Sequence, residues 1–334
     1  MKKNFIIILS FFLIIPIISN GAVIYRSIGG DVTFELSPKN PGAFENVKVT
    51  ANSYEVDLSK ANIAWYLDDI LAIEGPAQKI FNFQTGKNGK ISNIKFVASI
   101  DGKNIEKTMS INPADVEIIW EADTYVPPTY KGKALASPKS GVKVMALPHF
   151  ISDKGNIISS EELVYEWSNN FENISSGLGK NSAIITMGTP LGENIVYIKV
   201  STPDGRISAE KEIKIIPENV SIVFYEEKPL DGTNYNSALN GVANFSEKEV
   251  TIRGEPYFFS YPDSVNDRNL AFNWTLNGKG ITPNEGTPKI ITLRNESGRE
   301  ITSSLGLTIE NVKRIFQDAG ISLMIKSSPG TFNF

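Results

Sequence analysis

The chain has 334 residues, 41% apolar and 21% charged, with a formal charge of −4 and a pI near 5.4. This is the composition of a folded protein, and it excludes the basic face needed for nucleic acid or for electrostatic docking to an anionic membrane. There is no cysteine and one histidine, His149, so disulfides, thiolate nucleophiles and the usual transition-metal sites are out.

The first residues read MKKNFIIILSFFLIIPIISNGA. Lys2 and Lys3 precede an apolar run from Phe5 to Ile18, and Ser19, Asn20, Gly21 and Ala22 follow it. This is the pattern of a secretory signal peptide over residues 1–22. As a helix the run would span about 21 Å, short of a hydrocarbon core of roughly 30 Å. The expected location is extracytoplasmic, secreted or at the cell surface, with a membrane anchor only if the leader stays uncleaved.

Beyond the leader, short alternating runs recur between Gly, Pro, Asn and Asp: NVKVTAN, NIKFVASI, GVKVMAL, NIVYIKVS, EKEIKII, KEVTIRG and PKIITLR. Each reads as a strand with one buried face, and many such strands predict sandwiches or barrels.

Three tryptophan frames punctuate them: Ile63-Ala64-Trp65, Tyr165-Glu166-Trp167 and Phe272-Asn273-Trp274, spaced 102 and 107 residues apart. A turn follows each, LDD, SNN and LNG. Asp101-Gly102 and Asp204-Gly205 mark later hairpins, since glycine tolerates positive φ. Pro113 and Pro217 then end the units. The predicted division is a leader, 1–22, and domains at 23–112, 113–216 and 217–334.

The second and third units read as a duplication. VEIIWEAD matches VSIVFYEE, aligning Trp120 with Phe224. TYKGKAL matches NYNSAL, and VKVMALPHF matches VTIRGEPYF, aligning His149 with Tyr257. The third unit adds ENVKRIFQDAG, where a short helical turn is expected.

A tryptophan ending an alternating run on its inward face fills the centre of a two-sheet sandwich. Its burial, on the order of 200 Å², gives at most roughly 5 kcal/mol. Trp65, Trp167 and Trp274 are therefore expected as core, with the bulky Ile63, Tyr165 and Phe272 on the same face.

The tryptophan frames, the opening Pro38, Pro41 and Gly42 before NVKVTA, and the closing hairpins resemble bacterial immunoglobulin-like domains. The YEW and FNW frames are similar to the polycystic-kidney-disease (PKD) type, although SNN and LNG stand where its Gly-Asp-Gly is usual. The resemblance covers nearly all of residues 31–327. It implies an all-β chain of three tandem immunoglobulin-like sandwiches, used outside the cytoplasm to space, display or adhere, and no catalytic residues.

The residues themselves offer little chemistry. SSGLGKNS lacks the spacing of a phosphate loop, with Asn181 where Ser or Thr is needed. Asp68-Asp69, Glu161-Glu162 and Glu226-Glu227 read as turn and edge charges, because strand neighbours point to opposite faces. His149, matched by Tyr257, reads as an amphipathic packing position. No cofactor is expected, apart from calcium at the acidic loops before each tryptophan strand: Asp57, Asp153, and Asp263, Asn266 and Asp267. Trp120, Tyr125, Tyr130, Phe224, Tyr225 and Tyr235 cluster near the two linkers. They either pack domain on domain or form a surface for a partner or glycan. The expected role is a non-enzymatic spacer or binding module, with an envelope protein or glycan as partner. The alternatives are a glycan-binding adhesin and an accessory module of an extracellular enzyme.

Overall fold

A computed structural model describes residues 32–261, 269–297 and 299–327. The leader expectation therefore lies outside the described residues. Among the described residues regular structure is almost all strand, with short 3-10 turns at Leu58–Lys60 and Ser160–Glu162.

The first sandwich packs the sheet β1 (Val32–Ser37), β2 (Asn46–Ser53) and β5 (Ile80–Gln84) on a four-stranded one. The latter runs in the order β4 (Ile70–Pro76), β3 (Asn62–Leu67), β6 (Ser92–Ile100) and β7 (Lys103–Ile111). The second repeats this order strand for strand. β8 (Asp115–Asp123), β9 (Gly141–His149) and β12 (Ser182–Thr186) form one sheet. β11 (Glu172–Leu178), β10 (Val164–Asn169), β13 (Asn194–Ser201) and β14 (Ser208–Ile215) form the other. These are tandem immunoglobulin-like β-sandwiches.

The third sandwich is elaborated. β15 (Ser221–Lys228) and β18 (Glu249–Tyr257) pair as β8 and β9 do. β16 (Gly232–Leu239) folds back on β15, and β21 (Ile290–Arg294) closes the far edge. β17 (Val242–Phe245) crosses to the other sheet and runs parallel to β23 (Asp318–Ser327), next to β22 (Ile301–Asn311), β19 (Leu270–Leu276) and β20 (Lys279–Ile281). Within the segment Glu310–Gly320, β22 and β23 are joined by two successive turns, Arg314 N–H donating to Asn311 O and Gln317 N–H to Arg314 O at 3.3 Å each, in place of the helical turn expected there.

Each sandwich has its own core, centred on Trp65, Trp167 or Trp274, which are 0%, 0% and 2% exposed. Buried strand residues come in the same triplet three times: Val47-Val49-Ala51, Val142-Val144-Ala146, and Val250-Ile252-Gly254. The small third member makes room for the indole. A Cβ on Gly254 would stand 3.3 Å from the Trp274 ring and 2.2 Å from Leu307.

Candidate functional site

Alternation along a strand decides what the third sandwich shows its neighbour. β15 and β18 turn Phe224 and Gly254 to the core, so Tyr225, Arg253 and Glu255 face outward. On a lone sandwich that face would be wet. Here Glu255 is 0% exposed.

The cover comes from the second sandwich. After β8 the chain leaves its own sheets: Thr124 forms a β-bridge with Ser260, and Tyr125 exchanges backbone hydrogen bonds of 2.7 Å with Phe258 and Phe259. The Tyr125 hydroxyl then donates to Glu255 Oε1 at 2.6 Å. From the third sandwich, the Tyr235 hydroxyl donates to Oε2 at 3.2 Å, and Arg253 and Lys289 approach the same carboxylate at 3.5 and 3.7 Å. Lys289 also lies 4.8 Å from the Tyr125 ring centre. Tyr225 and Tyr257 share a hydroxyl hydrogen bond of 2.7 Å, and Tyr130 meets the Tyr257 ring edge-on at 5.8 Å.

The charges close on themselves. Burial alone would raise the Glu227 carboxyl, but the Arg253 guanidinium at 2.9 Å and the Thr233 hydroxyl hold it below its ordinary value. Burial, reinforced by Glu255, pushes the Tyr125 hydroxyl well above the usual tyrosine range. Burial and the Tyr225 hydrogen bond do the same to Tyr257. Neither is an anionic nucleophile at neutral pH. A carboxylate fed by two phenols and flanked by two cations is a clamp.

A second clamp lies beside it. Gln317, in the β22–β23 turn, is 1% exposed. Its amide nitrogen donates to Ser137 Oγ, Pro138 O and Ser260 Oγ at 3.2, 2.8 and 2.8 Å. Its amide oxygen accepts from Ser260 N and Asn311 at 3.1 and 2.9 Å. Arg314 adds a bond to Lys139 O at 2.7 Å.

Four of the six predicted aromatics, Tyr125, Tyr130, Tyr225 and Tyr235, thus converge here. Two do not. Phe224 is a core residue stacked on Trp274 at 5.7 Å. Trp120 packs against the second core, with Lys133 3.1 Å from its ring centre. Their proposed equivalence is also corrected by sheet register. Pro148 and Pro256 pair with Val116 and Ile222, so Trp120 corresponds to Glu226 and Phe224 to Ile118. His149 is exposed at the end of β9, unlike the buried Tyr257.

Of the calcium candidates, Asp57 and Asp153 have partners within the protein. Asp57 caps the turn Leu58–Lys60, accepting from Ser59 N at 3.1 Å, and the Ser59 hydroxyl bond lowers its pKa. Asp153 accepts from Asn112 at 3.3 Å and lies 3.9 Å from Arg206. Asp263, Asn266 and Asp267 lie outside the described residues. Among the described residues no three His, Asp or Glu side chains converge as a metal site. Sequence reasoning missed Glu255, Gln317, Arg253 and Lys289, because a polar residue in an alternating run or a turn looks solvent-facing.

No family model and no curated protein matches the chain. Solved structures of tandem modules do. The three N-terminal domains of the bacteriophage RB49 Highly Immunogenic Outer Capsid protein are 13% identical, with 89% of this chain and 98% of that one covered and a TM-score of 0.26. The central fibronectin-III array of RIM-binding protein gives 12%, 89%, 97% and 0.27. The Bacteroides ovatus mixed-linkage glucan utilization locus protein SGBP-B, solved with a mixed-linkage heptasaccharide, gives 13%, 93%, 70% and 0.22. The likeness is one of fold.

Proposed function

We propose that the chain is an exported, non-enzymatic spacer and interaction protein of the cell envelope or a secreted assembly, with its second and third sandwiches held as one body. The observation that carries this reading is the burial of Glu255 and Gln317 between partners from both sandwiches. A site for a soluble ligand leaves polar groups facing solvent. Here the polar groups are consumed in joining two modules. The tyrosines that could have served as a glycan platform spend rings and hydroxyls inside the joint, which favours the spacer over the adhesin.

The chain has no cysteine, so single cysteines label cleanly. Spin labels at Ser176→Cys and Thr302→Cys, both exposed strand positions, should give one narrow distance distribution by pulsed electron paramagnetic resonance. Glu255→Ala with Gln317→Ala should broaden it. A distribution already broad in the parent protein, or a hydrolase activity that purifies with the chain, overturns the proposal.

A further inference from the structure

The two junctions of the chain are built differently. The second is sealed by a β-bridge, a buried carboxylate and a buried amide. At the first, the polar side-chain contacts that cross among the described residues are exposed or half-buried. Asn40, in the turn after β1, donates to Glu210 and accepts from Ser208, both at 2.5 Å. Ala43 N donates to Asp115 at 3.3 Å. Asn112, in the link itself, donates to Ile151 O at 3.1 Å and to Asp153 at 3.3 Å. Among the described residues no strand of the first sandwich pairs with a strand of the second. A cleft of about 530 Å³ is lined by the turn Pro38–Glu45 on one side and by Ala114, Asp115 and Glu210 on the other.

Hydrogen-bond satisfaction points the same way. Among the described residues, the buried side-chain atoms without a partner are the amide oxygens of Asn88 and Asn112. Both belong to this junction. Asn88 precedes Gly89, whose N–H donates to Pro113 O at 3.3 Å and which sits against Ile151. Neither oxygen has a donor on the protein, so neither adds a bond that holds the joint closed. Among the described residues the second junction has no such atom.

We infer that the chain is a jointed rod, in which the first sandwich swings on the Asn112-Pro113 link while the second and third move together. This goes beyond the spacer reading, which a rod with two fixed joints would also satisfy. Separate modules joined by a small polar interface move by default; here that default holds at one joint and is overruled at the other.

The test compares two label pairs. Asn82→Cys with Ser176→Cys spans the first junction, and Ser176→Cys with Thr302→Cys spans the second; Asn82 is also an exposed strand position. The first distribution should be broad and the second narrow. Backbone ¹⁵N relaxation on the unlabelled chain gives an independent reading. The first sandwich should tumble faster than the other two, which should share one correlation time. Equal narrow widths and one shared tumbling time overturn the joint and leave the spacer reading standing. Broad distributions across both junctions overturn the fixed second joint and the spacer reading with it.

Discussion

Asp68, Asn170 and Asn277 occupy the same place in the three sandwiches. Each opens a two-residue turn at φ near 50°, followed by Asp69, Phe171 and Gly278 at 64°, 68° and 79°. Each backbone N–H donates across to the neighbouring sheet strand, to Asn93, Ile195 and Ser304 at 2.8, 2.9 and 2.8 Å. Each side-chain oxygen accepts the N–H of that same residue at 2.9, 2.8 and 2.9 Å. A short polar side chain is needed because it tolerates the left-handed region and still reaches the strand. Asn170→Asp keeps the acceptor and should stay within about 0.5 kcal/mol of the parent. Asn170→Ala loses the bond and adds backbone strain, and should cost about 1–2 kcal/mol in urea unfolding. Asn170→Gly should fall between, and equal stabilities of the Ala and Asp variants would remove the clamp from the account. Asp204 has a different local role. Hydrogen bonds from Thr202 and Arg206 hold its carboxyl at about 2, below the ordinary 3.8. A lowered pKa contributes stability above the unfolded value and loses it as pH falls. The parent should therefore exceed Asp204→Asn slightly at pH 6, the two acid-unfolding curves merging as pH falls towards 2. Curves that stay parallel would mean the carboxylate bonds contribute nothing.

At the scale of the element, one device recurs. The indoles of Trp65, Trp167 and Trp274 donate to the carbonyls of Gln78, Lys180 and Pro288 at 2.8, 2.9 and 2.9 Å. The next carbonyls, of Lys79, Asn181 and Lys289, accept the N–H groups of Ala51, Ala146 and Gly254. Two consecutive carbonyls thus tie the tryptophan to the strand whose small residue accommodates it. Gly254→Ala puts a methyl 2.2 Å from Leu307, so it should cost about 1–3 kcal/mol by overpacking. Adding Leu307→Val should recover part of that loss, and a strictly additive double variant would show that the contact does not matter. The strands and tryptophan frames were legible because a period of two survives in one sequence. The bracket was not, because carbonyls carry no residue signature. TYKGKAL and NYNSAL show a second limit. The latter became β16 on the free edge of β15, whereas the former follows Pro127 and Pro128, which lack N–H donors, and is not a strand. Its upstream Tyr125 and its own Tyr130 found partners on the neighbouring sandwich. Like sequences took unlike structures because what lay beside them differed. The site was half legible for the same reason: the aromatics near the linkers could be seen to cluster, but Glu255 could not be seen to be buried without the segment that covers it.

For the whole molecule, a joint closed by neutral tyrosines around one carboxylate makes a definite claim about pH. The Tyr125 and Tyr257 hydroxyls are held above the ordinary value of 10, chiefly by burial. A group whose pKa is raised on folding contributes stability that is fully present below its unfolded pKa and is lost as pH climbs past it. The second joint should therefore be insensitive from neutral pH to about pH 9 and fail above pH 10. Followed at 295 nm, tyrosinate from these residues should appear together with broadening of the Ser176–Thr302 distance, since ionisation and opening are one event. Glu255→Gln separates the carboxylate from the phenols. It keeps the shape but leaves Arg253 and Lys289 facing a neutral amide. Arg253 keeps Glu227 at 2.9 Å, so the loss should fall below the roughly 3–5 kcal/mol of a broken buried pair, and the joint should still open at lower temperature at pH 7, with the first sandwich unaffected. Tyr125→Phe removes one phenol and should keep the joint closed at pH 7 while shrinking the alkaline step. If Glu255→Gln stays narrow and melts with the parent, the joint is held by Gln317 and apolar packing. If tyrosinate forms well before the distance broadens, the phenols lie outside the seal.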